Sequence, residues 1–115
     1  MRSPVDCAQA QLDAYNNRDI HGFMAVYHDD IQLLDLRTGE PFCQGLEAMT
    51  QRYLTLFANC PDLHCDLVSR IVCGNIVIDE ELVTGIHADK KVHATAIYDV
   101  HDGTIRRAWF VREES

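Results

Sequence analysis

The 115-residue sequence predicts an α+β fold in which helices cover one face of an antiparallel sheet. Through most of roughly the first 60 residues, apolar side chains recur at intervals of three and four, which is the period of a helix. From Leu63 onward the period changes to two, as expected of strands. An Asp102-Gly103 pair then separates two alternating runs, residues 92–100 and 104–113, and this is the strongest short-range signal for a hairpin. We expect three helices interleaved with one strand, followed by a meander of four antiparallel strands.

The first two helices have recognisable start signals. Ser3 is a favoured N-cap, Pro4 suits the first helical position, and Asp6 places an acid in the first turn. Asn16-Asn17 is expected to close this helix. Asp19 can cap a second helix, whose apolar positions again fall at spacings of three and four. These positions are Ile20, Phe23, Met24 and Tyr27.

A short strand and a third helix complete the first half of the chain. Residues 31–36 form an apolar run that leads into a turn over residues 37–39. A third helix is expected from Gly45 to about Ala58, and Pro61 prevents its continuation. The apolar face of that helix consists of Leu46, Met49, Tyr53 and Phe57.

The second half begins with two alternating segments. Residues 63–72 alternate so that the odd-numbered positions share one face, as in a strand with one wetter side. Gly74-Asn75 is expected to form a two-residue turn into a strand over residues 76–87.

An acidic run, Asp79-Glu80-Glu81, lies inside this last strand. Alternation must turn at least one of its carboxylates inward unless the strand bulges or lies at an edge. Two alternatives remain open, an inward Glu80 or an inward pair of Asp79 and Glu81. Either would supply a second acid for a pocket or a partner for Arg70, Arg106 or Arg107.

The loop length of the final hairpin determines which residues line its two faces. A two-residue loop gives the cross-strand pairs Tyr98–Arg107 and Asp99–Arg106. A three-residue loop over 101–103 gives the pairs Ala96–Ala108 and Ala94–Phe110. We predict the three-residue loop because it gathers the small alanines under the helices and leaves space for a ligand.

In the predicted register an apolar stripe lies on the convex side of the sheet, where it would form a dimer surface. Its members are Ile97, Trp109 and Val111. Arg106 and Arg112 share the concave face with the alanines, where they could contact an anionic ligand.

Composition excludes several classes of partner. The length is that of a single domain over residues 1–115, with 47% hydrophobic residues. A formal net charge of -8 opposes binding to nucleic acid or to anionic membranes, both of which need clustered Lys and Arg. Residues 1–17 carry Asp6 and Asp13 without a long apolar run, so neither a signal peptide nor a membrane span is expected. We therefore expect a cytoplasmic protein.

Cysteine and histidine are numerous but poorly placed for metal binding. Five cysteines form an odd set, which favours reduced, mostly buried thiols over disulfides. The nearest cluster contains Cys60, His64 and Cys65, yet the last two point to opposite faces of a strand. The sequence has no metal-binding, nucleophile or phosphate-loop motif. Neither a metal nor a cofactor is expected.

Three segments resemble the NTF2-like superfamily, in particular its SnoaL-like and ketosteroid-isomerase-like branch. They are YNNRDIHGFMAVYHDDIQLLD near the start, AIYDVHDGTIRRAWFVRE at the end and PDLHCDLVSRIVCGNIVIDEELVTG between them. The last of these resembles bacterial members that are described as hypothetical or isomerase-like. The resemblance implies a cone-shaped fold, with three helices packed on a curved, mainly antiparallel sheet. It also implies a small homodimer with a pocket for a small hydrophobic ligand.

The resemblance to ketosteroid isomerases also implies roles for individual residues. Their proton-transferring carboxylate corresponds to Asp35, which could equally be a solvated residue before a turn. Their oxyanion-binding tyrosine and protonated aspartic acid correspond to Gln11 and Ala96, so both donors are missing. Removing one oxyanion donor typically costs about 100- to 1000-fold in rate, so steroid isomerisation itself is not expected.

Other side chains could replace the missing donors. Gln11 retains an amide, and the phenols of Tyr15 and Tyr53 lie on helices that face the same pocket, which Phe57 and Phe110 would also line. Two functions follow. One is a cofactor-free isomerase, cyclase or dehydratase acting on a small hydrophobic carbonyl compound, with Asp35 as the acid/base. The other is a non-catalytic dimeric module that binds a small ligand, because this superfamily includes both kinds.

Overall fold

Three helices and six strands form the part of the chain that the computed structural model describes, residues 1–113. In chain order they are α1 (Pro4–Asn16), α2 (Ile20–Met24), β1 (Tyr27–Asp35), β2 (Pro41–Gln44), α3 (Leu46–Asn59), β3 (His64–Cys73), β4 (Ile76–Thr84), β5 (Val92–His101) and β6 (Thr104–Arg112).

The strands form one curved sheet in the order β2-β1-β6-β5-β4-β3. All neighbouring strands are antiparallel except β1 and β6, which are parallel. The predicted α+β architecture is confirmed, but the prediction of a single strand in the first half was wrong, because β2 adds a second. The three helices also do not form one N-terminal block, since α3 follows β1 and β2.

The predicted helix caps are present. Ser3 and Asp6 form a reciprocal capping box at the start of α1, and the Asp19 side chain accepts a hydrogen bond from the Gly22 N–H in α2. Tyr27, however, belongs to β1 and not to α2. The reason is pairing with β6, because the Ile105 N–H donates to the Val26 carbonyl at 2.8 Å and draws this backbone into the sheet.

The helices pack on the concave face of the sheet through two apolar clusters. The larger cluster surrounds Phe23, and the smaller one includes Phe57 and Leu63. Tyr15 and Tyr53 are half-buried and pack against both clusters. Their rings lie edge to face at a centroid distance of 6.4 Å, which connects α1 to α3.

A bulge in β3 changes the predicted alternation of that strand. Leu67 lies opposite Glu81, and Ser69 lies opposite Glu80, so Val68 is an extra residue. Beyond the bulge it is Arg70, and not Ser69 or Ile71, that shares the inner face. The expectation that odd-numbered positions keep one face along the whole of residues 63–72 was therefore wrong. The two-residue turn at Gly74-Asn75 is confirmed, with Cys73 opposite Ile76.

The final hairpin differs from both predicted registers. His101 lies opposite Thr104, so the loop contains only Asp102-Gly103, both with the positive φ that this tight turn needs. A bulge at Arg106 then adds one residue to β6. The resulting pairs are Tyr98–Ala108, Ala96–Phe110 and Ala94–Arg112. The predicted three-residue loop was wrong, yet its assignment of the alanines to the inner face holds, because the bulge compensates for the shorter loop.

Candidate functional site

Cross-strand pairing places three rows of side chains on the concave face of the sheet. Directly paired residues on neighbouring strands project to the same side, so each row can be followed from strand to strand. One row consists of Glu81, Ala94 and Arg112. The next consists of Arg70, Asp79, Ala96, Phe110 and Asp35. The third contains Val77, Tyr98, Ala108 and Leu33.

The acidic run in β4 turns two carboxylates inward. Asp79 is 0% exposed and Glu81 is 8% exposed, whereas the Glu80 carboxylate lies on the opposite face and contacts His93 at 2.7 Å. Of the two alternatives that the sequence left open, the inward pair is the one adopted.

Asp79 is fully compensated by a basic partner. The Arg70 guanidinium donates two hydrogen bonds to its carboxylate, at 2.7 and 3.0 Å. A third Arg70 bond, at 3.0 Å, reaches the side-chain oxygen of Gln9 in α1. This network connects the sheet to the helix layer, and both oxygens of the Asp79 carboxylate are paired with the Arg70 guanidinium.

Glu81 has no such partner. The pKa of its carboxyl is raised to about 7, mainly because burial penalises the charged form and also because Asp79 lies nearby. The Cys65 thiol and Arg70 lower it only in part. A carboxyl with this pKa exchanges its proton near neutral pH, as acid/base catalysis requires.

Four phenols surround the same space. Burial is the main cause that raises the pKa of each, to about 12 for Tyr53 and further above the ordinary value for Tyr15, Tyr27 and Tyr98. All four therefore remain protonated donors at neutral pH. Of these four hydroxyls, only that of Tyr27 donates a hydrogen bond within residues 1–113. Its acceptor is the side-chain oxygen of Gln11, at 3.5 Å. The other three hydroxyls are available to a ligand.

These groups line a cavity of about 1430 Å³ between the helices and the sheet. Five of the seven predicted site residues lie on its wall, namely Asp35, Gln11, Tyr15, Tyr53 and Phe110. Phe57 and Ala96 do not. Phe57 is buried in the smaller apolar cluster, and Ala96 is covered in the larger one beneath Phe110.

Asp35 lies at the edge of this cavity, at the end of β1 and across from Phe110. Its Oδ1 accepts a hydrogen bond from the Arg37 N–H at 2.9 Å, which shapes the turn that follows the strand. The side chain is half-buried. Its carboxylate thus has a structural bond and also faces the space that a ligand would occupy.

Sequence reasoning left Glu81 as one of two alternatives and missed Tyr98 and Tyr27 as site residues. An inward acid in β4 was foreseen, but both faces of that strand are apolar, so alternation did not select the face. Tyr98 follows the two alanines at a spacing of two, a signal that would have placed it on the inner face. Tyr27 was assigned to a helix and for that reason was not considered.

Across residues 1–113, no three His, Cys, Asp or Glu side chains converge as metal ligands would. None of the helices in the same range is both long and apolar enough to span a bilayer.

The curved six-stranded sheet, the three helices on its concave face and the cavity between them define an NTF2-like α+β protein. Residues 8–108 match the SnoaL-like domain family, and the chain belongs to that family. The resemblance inferred from the three sequence segments is thereby confirmed. No curated protein matches the sequence.

Solved structures with the same fold cover nearly the whole chain. An uncharacterised cystatin-fold protein from Novosphingobium aromaticivorans superposes with a TM-score of 0.88 at 24% identity, covering 97% of this chain and 100% of that one. A candidate ketosteroid isomerase from Kribbella flavida gives 0.82 at 17% identity, covering 95% and 76%. IdmH from Streptomyces antibioticus, a candidate polyketide cyclase, gives 0.79 at 17% identity, covering 97% and 93%.

Proposed function

We propose that the protein binds a small hydrophobic carbonyl compound in this cavity and catalyses proton transfer on it without a cofactor, as an isomerase, cyclase or dehydratase. The observation that carries the proposal is the Glu81 carboxyl, buried in the cavity with a pKa of about 7 beside three phenols that are free to donate. The names of the structural relatives in Kribbella flavida and Streptomyces antibioticus point to the same kinds of chemistry.

The proposed chemistry begins at a carbon next to the carbonyl group of the ligand. The ionised Glu81 carboxylate removes a proton from this carbon, and the negative charge moves to the carbonyl oxygen. A phenol of Tyr15, Tyr53 or Tyr98 donates a hydrogen bond to that oxygen and stabilises the enolate. The protonated Glu81 then returns the proton to the ligand at the same or another carbon. In this proposal Asp35 is a second acid/base at the edge of the cavity.

Deuterium exchange tests this step without knowledge of the natural substrate. We expect the protein to accelerate exchange of the α-protons of 2-tetralone in D2O, followed by NMR, with a rate that rises with pH through about 7. Glu81→Gln should lower the enzymatic rate by about 100-fold or more, the usual range for a lost acid/base. Asp35→Asn should have a smaller effect.

Glu80→Gln is the matched control, because this residue is next in sequence but lies on the opposite face. The Glu80→Gln variant should accelerate exchange of the α-protons of 2-tetralone as much as the wild type does. Equal rates for Glu81→Gln and wild type would contradict the role of Glu81, and a larger loss in Asp35→Asn would transfer the acid/base role to Asp35.

The second candidate function is a module that binds a ligand without reaction. The observation that favours it is the bond from the Arg37 N–H to Asp35, which gives this carboxylate a structural role. In that case 2-tetralone would bind, as seen by its effect on the melting temperature, while neither the wild type nor any variant would accelerate exchange.

We also propose that the protein is a cytoplasmic homodimer whose contact is the convex face. Ile71, Ile78, Ile97 and Trp109 form a cross-strand row on that face, and Ile71 is 61% exposed. Free cysteines support the reducing compartment. Light scattering should give the mass of a dimer for the wild type and of a monomer for Trp109→Lys. A wild-type monomer at micromolar concentration would contradict the proposed contact.

A further inference from the structure

The wall of the cavity has a charge balance opposite to that of the whole chain. The sequence contains 10 basic and 18 acidic residues. Five of the ten basic residues line the cavity, but only three of the eighteen acidic ones do. The basic residues are Arg37, Arg52, Lys90, Lys91 and Arg112, and the acidic ones are Asp35, Glu81 and Glu113.

The five basic residues are all exposed and form the mouth of the cavity, whereas Glu81 is buried within it. They come from several elements. Arg37 and Arg112 are held together by a bond of 2.9 Å from the Arg37 guanidinium to the Arg112 carbonyl. Lys90 and Lys91 lie on the loop between β4 and β5. Arg52, on α3, stacks over the Phe42 ring at 4.8 Å.

Within residues 1–113 none of these five side chains forms an ion pair with a carboxylate. This contrasts with Arg70 and Arg107, whose guanidinium groups are paired with Asp79 and Asp99. The five basic residues also outnumber the other two acids on the cavity wall, Asp35 and Glu113. The positive charge at the mouth is therefore available to a ligand.

The distance from the mouth to the inner acid suits one small molecule. Arg112 and Glu81 belong to the same cross-strand row and are separated by Ala94 on β5. Two strand spacings correspond to roughly 10 Å between their backbones. A ligand of about two fused rings could reach both ends, and the small Ala94 side chain leaves room between them.

We propose that the compound bound in this cavity carries an anionic group, a carboxylate, sulfonate or phosphate, which is held by the basic residues at the mouth while its apolar part extends toward Glu81. The inference rests on the proposed function only in that both place the ligand in the same cavity. It also explains how a protein with a net charge of -8 could attract an anion, because local basic groups determine the potential at a cleft.

Two fluorescent probes that differ in one group test the proposal. 1-Anilinonaphthalene-8-sulfonate carries a sulfonate, and N-phenyl-1-naphthylamine has the same rings without it. We expect the sulfonate to bind wild-type protein more tightly, with an affinity that falls as salt is added. The affinity of the neutral probe should not depend on salt.

Charge-removing variants locate the effect. Two double variants remove charges from the mouth, Arg37→Gln/Arg112→Gln and Lys90→Gln/Lys91→Gln. Each should lower the affinity for the sulfonate probe by about tenfold, the loss expected for two exposed ion pairs. The affinity for the neutral probe should not change. Arg2→Gln/Arg107→Gln is the matched control, because it removes two charges from residues outside the cavity wall. It should bind both probes as wild type does.

A third variant checks that the probes occupy the cavity. Ala94→Trp places a large ring beside Glu81 and should abolish binding of both probes, while circular dichroism and the melting temperature verify that the variants fold. If both probes still bind to Ala94→Trp, the proposal is overturned, because the probes then occupy a site outside the cavity.

The remaining outcomes separate this proposal from the function itself. Equal affinity of both probes for the wild type, or an equal loss in the mouth variants and the control, would overturn the anionic ligand and leave the proton-transfer proposal standing. If neither probe bound to the wild type, the cavity would not be a ligand site of this kind, and both proposals would fail.

Discussion

Two regions of the inner face of β4 contain the same chemical group in different surroundings. Asp79 is 0% exposed and holds a bidentate guanidinium, which is itself bound to α1 through Gln9. Glu81, two residues further along, is nearly as buried but faces a cavity, a thiol and phenols instead of a cation. One carboxylate is compensated by the fold, and the other is left to titrate.

The two carboxylates differ in what their burial costs the folded state. A buried carboxylate with a fixed cation contributes to stability only as part of the pair. A buried carboxylate without one is a cost to the folded state at neutral pH, and such a cost is typical of functional sites. If this distinction is correct, substitutions in the two regions must have opposite consequences for stability.

The largest effect is expected in the Asp79 region. Arg70→Met removes the partner of a fully buried carboxylate and should lower the free energy of unfolding by about 3 to 5 kcal/mol. Urea denaturation followed by circular dichroism measures this change. The double variant Arg70→Met/Asp79→Leu replaces both charges by apolar groups and should recover most of the loss. A decrease of less than about 1 kcal/mol in the free energy of unfolding for Arg70→Met would show that the ion pair does not compensate the burial of Asp79.

A smaller effect of opposite sign is expected at Glu81. Its pKa is raised in the folded state from the ordinary 4.5 to about 7, so the folded protein binds a proton more tightly than the unfolded chain. The associated stability is fully present below about pH 4.5 and is lost as the pH rises through about 7. The loss approaches about 3 kcal/mol at high pH.

The Glu81→Gln variant isolates this contribution. Urea denaturation between pH 4.5 and 8 should show a steeper decline in stability for the wild type than for the variant, and the variant should be the more stable of the two at pH 8. Glu40→Gln, an exposed residue in the turn between β1 and β2, serves as the control and should follow the wild type. Parallel wild-type and Glu81→Gln curves would contradict the raised pKa.

Local signals were enough to predict the helices and several turns. The Ser3–Asp6 capping box, the Asp19 cap and the tight Gly74-Asn75 turn each depend on residues close in sequence, so the pattern contains the relevant chemistry. The strand β2 was not predicted because its four residues have too little alternation to distinguish them from a loop. Its pairing with β1, a contact between segments, is what makes it a strand.

The bulges at Val68 and Arg106 set the limit for predicting the site. A bulge is defined by the partner strand, because the extra residue is visible only when two strands are aligned. Without the first bulge, the register set by the Gly74-Asn75 turn would place Val68 and not Leu67 opposite Glu81. Without the second, a two-residue loop would have turned Arg107 and Trp109 inward in place of Ala108 and Phe110. The choice between Glu80 and Glu81 depended on the same long-range register.

The location of the mouth has a practical consequence for redesign of this scaffold. Glu81 and the phenols are borne by strands and helices in the packed interior, whereas Lys90 and Lys91 belong to the surface loop over residues 85–91. Surface loops tolerate replacement far better than core strands do. If both proposals hold, grafting this loop from other proteins of the same fold should change part of the charge at the mouth and leave Glu81 and the phenols in place.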